Sequence, residues 1–309
     1  MGELGMNSMT RRFLTLIAAL LLLGAPVVAQ AQARPLRTVG FMTDFDTRDD
    51  AVAICKAVMD RIAPGVRILD ISHTVEPYNI AQAARFLAGT APYMPADSVF
   101  VVVVDPGVGS ARKAIIAKSK RGQFFVLPDN GLLTLLQDAD SIVAAREITN
   151  PAWMIGAKRS STFHGRDIFS PTAAHLARGD DWTAAGPAVE VAKLVRLDLK
   201  AAALDAAGAR GEAIGTDGPY GNLILNLTGE QFAGLGYTLN DVVPVQIDGK
   251  PHAIPFVKTF SDVPAGKELL YIDSRGRMSF GINEANFAEA FKVGEGAKVV
   301  IPRRGGANP

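Results

Sequence analysis

The uninterrupted apolar run at residues 99–104, Val-Phe-Val-Val-Val-Val between Ser98 and Asp105, constrains the fold more than any other feature. Six β-prone side chains with no polar alternation can only be satisfied by a strand covered on both faces. Such a strand needs helices above and below it, and the flanking sequence supplies them. Strand-like runs at 38–43, 66–71, 98–104, 114–118 and 124–127 interleave with helical patterns at 50–62, 79–89 and 167–178. This alternation predicts an α/β N-terminal domain over 36–195 with a mostly parallel sheet.

The pattern changes after the alanine-rich stretch 201–209, read here as a linker. Short strand-like runs follow at 212–216, 223–227, 242–247, 253–257, 269–272, 277–281 and 298–301. Turn residues such as Asp248-Gly249 and Ser274-Arg275-Gly276 separate them, and only 285–291 looks helical. A mainly antiparallel, barrel-like β domain over 196–309 is the reading.

Residues 1–33 read as a signal peptide. Arg11-Arg12 precede an apolar run at 13–23, too short for an ordinary membrane span, and Ala-x-Ala sites end at Ala31 and Ala33. The expectation is an exported protein, periplasmic or secreted, with no membrane association after cleavage. A lone cysteine, Cys55, excludes an intramolecular disulfide and cysteine-rich zinc sites, and its apolar setting suits a packed thiol. A formal net charge of +1 gives no electrostatic case for a nucleic-acid partner.

In open α/β sheets, ligands bind beyond the carboxyl ends of strands. Three polar loops fall at such places: Thr43-Asp44-Phe45-Asp46-Thr47-Arg48-Asp49-Asp50, Asp105-Pro106-Gly107-Val108-Gly109-Ser110-Ala111-Arg112, and Ser160-Ser161-Thr162-Phe163-His164-Gly165-Arg166-Asp167. The turn Pro128-Asp129-Asn130-Gly131 accompanies them. Each has a structural alternative. Gly107 and Gly109 can serve a tight turn, Asp167 can cap a helix, and His73, His175 and His252 can be structural, the last without polar company.

Taken together and in order, these segments resemble the S-adenosyl-L-methionine hydrolases, also called SAM hydroxide adenosyltransferases, relatives of the fluorinating and chlorinating enzymes. Asp70-Ile71-Ser72-His73, Gly221-Asn222-Leu223-Ile224 and Ser274-Arg275-Gly276 extend the resemblance over nearly the whole mature chain. It implies a homotrimer with sites between neighbouring subunits, no cofactor and no metal. It also implies a catalytic triad of Asp105, Arg112 and His164 that activates water for attack on the ribose C5′ carbon. By the same resemblance Asp44 holds the ribose diol, Asn222 reads the adenine, and Phe260 stacks on it. Asp217 and Ser274-Arg275 hold the methionine ammonium and carboxylate. The halogenating relatives carry tyrosine at the place of Asp105 and Tyr-Ser at that of His164-Gly165, so water is the expected nucleophile.

The chain departs from the hydrolase pattern at Asp46, where glycine is usual, at Asp50-Ala51, where Pro-Tyr is usual, and at Gly218-Pro219-Tyr220. Two other classes compete. The aspartates between 44 and 50 suggest the calcium cluster of nucleoside hydrolases, with a different spacing. An exported two-domain protein can also be a nucleoside- or sulfonium-binding protein without catalysis.

Overall fold

The computed structural model describes residues 35–139, 141–156 and 159–305; the expected signal peptide lies outside them. The N-terminal lobe runs β1 (Val39–Thr43), α1 (Ala51–Ile62), β2 (Ile68–Ser72), α2 (Ile80–Thr90), β3 (Val99–Val103), β4 (Ala114–Ser119), β5 (Phe124–Pro128), α3 (Thr134–Asp138), β6 (Ile142–Glu147), α4 (Ser170–Arg178) and β7 (Ala188–Val189). Its sheet has the order β2-β1-β3-β5-β4-β6-β7. The first four strands are mutually parallel and the last three are antiparallel. The sheet is therefore mixed, and the reason is local. β4 and β5 are joined by a tight turn with Gly122 at φ 81°, and a turn that short cannot carry the crossover that parallel pairing needs.

β3 is buried on both faces, as the apolar run requires. Val99, Val101 and Val103 face α1 and α4 through Cys55, Met59, Ala173 and Ala177. Phe100, Val102 and Val104 pack with Ala83 and Leu87 of α2. Successive side chains of one strand thus feed two separate cores. Asn79 caps α2 by accepting from the Gln82 amide at 2.8 Å.

The second lobe contains β8 (Ala203–Leu204), β9 (Gly208–Asp217), β10 (Asn222–Thr228), α5 (Gly229–Ala233), β11 (Val242–Ile247), β12 (Lys250–Pro255), β13 (Glu268–Ile272), β14 (Arg277–Ile282), α6 (Phe287–Phe291) and β15 (Lys298–Pro302). The strands follow the order β12-β11-β15-β9-β10-β14-β13, all antiparallel. A bridge between Phe256 and Leu270 joins the region after β12 to β13, so the sheet nearly closes into a barrel.

The alanine-rich stretch differs from its reading as a linker. β8 pairs with β9, and Ala202 and Ala209 are buried in the barrel core. Small side chains there permit close packing where their composition suggested a spacer. Among the described residues no helix is long and apolar enough to cross a membrane.

Candidate active site

The three polar loops converge at the carboxyl ends of β1 and β3, next to the turn that leads into α4. The first is tied to the end of β2. Thr43 Oγ1 lies 2.9 Å from His73 Nδ1 and accepts from the Phe45 amide at 3.2 Å, while the Asp46 amide donates to the His73 carbonyl at 2.7 Å. His73 is thus a buried structural histidine, with Nε2 3.2 Å from Asp70. Asp46 adopts φ 63°, the left-handed region, which explains why glycine is the residue usual at this place. Its carboxylate accepts from the Thr47 amide at 2.6 Å and from Arg48, and these bonds hold it below the usual carboxylate range.

The second loop leaves β3 through Val104, whose carbonyl accepts from Asn130 Nδ2 at 2.9 Å. This bond ties the turn at 128–131 to the residue before Asp105. Gly109 has φ 78°, and a Cβ there would lie 2.8 Å from the Ser161 carbonyl, so the second and third loops touch through a position only glycine can fill.

The third loop enters α4 through a single π-helical turn, Gly165–Phe169. Asp167 is not a helix cap. It is buried within this turn, accepting from Arg166 Nε at 2.6 Å and the Ser160 amide at 2.7 Å. Burial pushes the Asp167 carboxyl up, but these bonds outweigh it and hold the group below its ordinary range.

At the convergence, Arg112 Nε donates to both Asp105 oxygens at 3.0 Å, and its terminal nitrogen also bonds Asp105 Oδ2. The same terminal nitrogen lies 2.7 Å from His164 Nδ1. The guanidinium carbon stands 5.3 Å from the centroid of the Phe169 ring. Only 5% of the Asp105 side chain and 10% of Arg112 are exposed. Arginine has no acceptor, so His164 Nδ1 must accept and the imidazole proton sits on Nε2. Burial, reinforced by the Arg112 charge and opposed by Asp105 and Asp167, holds His164 below its ordinary value of 6.5. The imidazole is neutral at pH 7.

Asp105 and His164 line a cavity of about 480 Å³ together with Asp44, Phe45, Tyr78 and Phe163. Asp44 accepts from the Tyr78 amide at 3.0 Å, which aims its carboxylate along the cavity wall. Among the other aspartates of the first loop, Asp46 is engaged as described and Asp49 accepts from the Ala51 amide at 3.0 Å. Asp44, Asp46 and Asp49 are thus each held by a different backbone amide, and nothing in this arrangement favours the calcium reading.

Asp217, Asn222 and Phe260 line a second cavity of about 640 Å³ on the barrel, with Tyr220 and Asn286. Asn222 is 3% exposed and its Oδ1 has no protein partner. A buried amide oxygen left open in a cavity wall is a ready acceptor for a ligand N–H. A Cβ at Gly281 would lie 2.7 Å from that oxygen and 3.1 Å from the Phe260 ring, so any larger residue there would push on the Asn222 amide.

Arg275 lies elsewhere. Its guanidinium sits 5.9 Å from the Phe86 ring centroid and lines a third cavity, between the lobes. Ser274 precedes it on the β13–β14 turn and lines none of these three cavities. Within one chain the structure therefore unites Asp44, Asp105, Arg112 and His164, and separately Asp217, Asn222 and Phe260.

The remaining candidates are structural. His175 bonds Asp180 at 2.6 Å and packs on Trp153. His252 has polar company after all, with Nδ1 3.7 Å from Glu268. Cys55 is buried, and its thiol is pushed up to about 11 by burial. Sequence reasoning missed Tyr78 as a shaper of the site, while the turn that carries Asn130 was picked out without the role of its amide. The helix-capping Asn79 next to Tyr78 was the available signal.

The chain matches, over residues 39–186, the SAM hydroxide adenosyltransferase N-terminal domain and, over residues 211–300, the C-terminal domain of the same description. It is 40% identical over 266 residues to an (R)-S-adenosyl-L-methionine hydrolase from Salinispora arenicola, spanning 85% of this chain and 97% of that protein. A fluorinase from an Actinoplanes species is 29% identical over 292 residues, spanning 86% and 97% of the two chains. A crystal structure of an uncharacterized conserved protein from Thermotoga maritima superposes with a TM-score of 0.80 at 36% identity, covering 85% of this chain and 100% of that one.

Proposed function

The chain belongs to the SAM hydroxide adenosyltransferase family, and on that premise we propose that it hydrolyses S-adenosyl-L-methionine to adenosine and L-methionine. The observation that carries the reading is the Asp105–Arg112–His164 arrangement facing the Asp44 cavity. The sulfonium is already a good leaving group, so the protein's task is to orient and deprotonate a water in line with the C5′–S bond. Asp105 keeps free lone pairs beside those engaged by Arg112 and takes the water proton. Neutral His164 donates its Nε2–H to the water oxygen and fixes its direction. Arg112 offsets the developing hydroxide charge. The water oxygen bonds to C5′, the C5′–S pair leaves with sulfur, and the proton passes from Asp105 to solvent.

The nucleobase end of the substrate fits the second cavity, with Asn222 reading the adenine, Phe260 stacking on it and Asp217 meeting the methionine ammonium. The two half-sites lie in different cavities of one chain. That separation supports a site completed by the barrel of a second copy, within the expected homotrimer. Arg275 would join the methionine end only by leaving its place against Phe86, whereas Ser274 is exposed on its turn. Export to the periplasm or medium is part of the same proposal, and cell fractionation of the full chain tests it.

The decisive experiment incubates the purified protein with the (R) and (S) sulfonium epimers separately, in the presence of a chelator. Equimolar adenosine and methionine from either epimer are expected on chromatography. Intact substrate in both arms would refute the reading.

A further inference from the structure

The loop that carries Asp105 and Arg112 leaves β3 at Val104 and returns to the sheet through Lys113, and the turn at 128–131 grips both ends. The β3–β5 ladder begins where the Phe124 amide donates to the Ser98 carbonyl at 2.9 Å, and its register runs to Val101 opposite Val126. Two-residue steps along β3 bring the carbonyls of Phe100, Val102 and Val104 to the same side. The β5 residue that would serve Val102 is Pro128, which has no N–H to donate. One step further, the Val104 carbonyl is met by a side chain instead. Asn130 Nδ2 donates to it at 2.9 Å, while the Asn130 backbone amide turns back to the Pro128 carbonyl at 3.0 Å. At the other end of the loop the Asp129 amide donates to the Lys113 carbonyl at 2.9 Å.

The turn is itself fastened. Asp129 Oδ1 accepts from the Val195 amide at 2.9 Å, the Gly131 carbonyl accepts from the Thr134 hydroxyl at 2.7 Å, and that hydroxyl accepts from the Leu197 amide at 2.8 Å. Asn130 Oδ1 is buried without a protein partner, so the bond to Val104 is what orients the amide. Between its ends the loop has local backbone bonds, Val108 to Asp105 at 3.2 Å and Ser110 to Gly107 at 3.0 Å, which leave its register on the sheet open.

We propose that Asn130 is a positioning residue: by holding the Val104 carbonyl from a turn that also holds Lys113, it sets Asp105 against Arg112 and, through Arg112, the imidazole of His164. The demand is narrow, because Arg112 must reach Asp105 with Nε at 3.0 Å and His164 with its terminal nitrogen at 2.7 Å at the same time. A displacement of about 1 Å at one end of the loop breaks one of these bonds, and misplacement of that size costs about 10²-fold in rate. The effect on rate rests on the proposed hydrolysis; the effect on the geometry does not.

The test compares Asn130→Ala, and Asn130→Leu of similar volume, with Asn150→Ala. Asn150 Nδ2 likewise donates to a distant carbonyl, that of Ala184 at 2.8 Å, but lies next to the Pro151–Trp153 turn, outside the three polar loops. Assayed well below their melting temperatures, both Asn130 variants should lose about tenfold or more in kcat with KM within about twofold. His164, followed by NMR, should titrate closer to 6.5 than in the parent, because the Arg112 charge that helps hold it down is no longer fixed beside it. Asn150→Ala should lose stability and keep both. An unchanged kcat or an unmoved titration in a folded Asn130 variant would overturn the proposal, and so would an equal kcat loss in Asn150→Ala. If Asn130→Ala does not fold, Asn130→Leu carries the test. If the parent protein releases no adenosine, the hydrolytic reading fails and the His164 titration alone decides: a shift supports positioning by Asn130, and no shift refutes it.

Discussion

Removal of the Asp105 carboxylate by Asp105→Ala should cost both stability and rate. Both partners of the Asp105–Arg112 pair are almost fully enclosed, with 5% and 10% of their side chains exposed. The variant leaves a buried guanidinium without its counter-charge, a loss of about 3–5 kcal/mol for such pairs. Arg112 retains the His164 acceptor and the Phe169 ring face, which places the expected loss at the lower end, about 3 kcal/mol. Hydrolysis loses its proton acceptor and should fall by about 10²–10⁴-fold. The double variant Asp105→Ala/Arg112→Met removes the stranded charge as well. It should recover at least half of the lost stability and none of the activity, because only the pair's net contribution is then missing. Urea unfolding gives the first quantity and chromatographic product formation the second. A stability loss in the single variant below about 1 kcal/mol would contradict the buried pair. An unchanged rate would remove Asp105 from the chemistry.

Four further outcomes are expected. His164 sits below 6.5 in the folded protein, so on acidification the unfolded chain takes up that proton first. Stability should therefore decline as pH falls below about 6.5, and His164→Gln should flatten that slope; identical slopes in an unfolding series would contradict the shift. Asn222→Ala removes the open acceptor in the barrel cavity and should raise KM about tenfold or more with kcat largely kept, since a lost hydrogen bond of ~1.4 kcal/mol is tenfold; unchanged steady-state kinetics would remove Asn222 from binding. Asp46→Gly should change stability by less than about 1 kcal/mol, whereas Asp46→Val should cost about 1–2 kcal/mol at φ 63°. Equal melting curves for those two variants would show that the backbone there is not demanding. Co-refolding inactive Asp105→Ala with an equal amount of Asn222→Ala should give about a quarter of the sites the unaltered KM if each site draws on two copies; absence of any such low-KM activity would put both half-sites in one chain.

The fold was legible where one physical demand dominated. The run at 99–104 permits only a doubly covered strand, and β3 is that strand. The sequence misled where composition stood in for pairing. The alanines at 201–209 have no strand-like character of their own, yet β8 folds back on the start of β9, which is itself held by the distant β15. β6 went unread for the same reason: two alanines dilute its β-prone residues, and its place is set by β4 alongside it. The loops that carry Asp105, Arg112 and His164 were legible because they are long and polar at strand ends, whereas the grouping of those three was implied only by the family resemblance. What the shaping groups do was not legible, since Asn130 acts through one amide bond to Val104 and Tyr78 through its backbone.

The wide turn at Gly165–Phe169 carries a consequence for how such sites diverge. A π-helical turn accommodates one more residue than the α-helical turn it replaces, and each residue of an α-helix advances the next by about 100°. Loss of one residue here could be absorbed by a relaxed turn while Ala173, Ala174 and Leu176 keep their places against the sheet. The imidazole of His164, on the residue immediately before that turn, would instead be carried away from Arg112. Length change by a single codon at this point is thus a route by which a lineage could silence the chemistry and keep the scaffold for other uses.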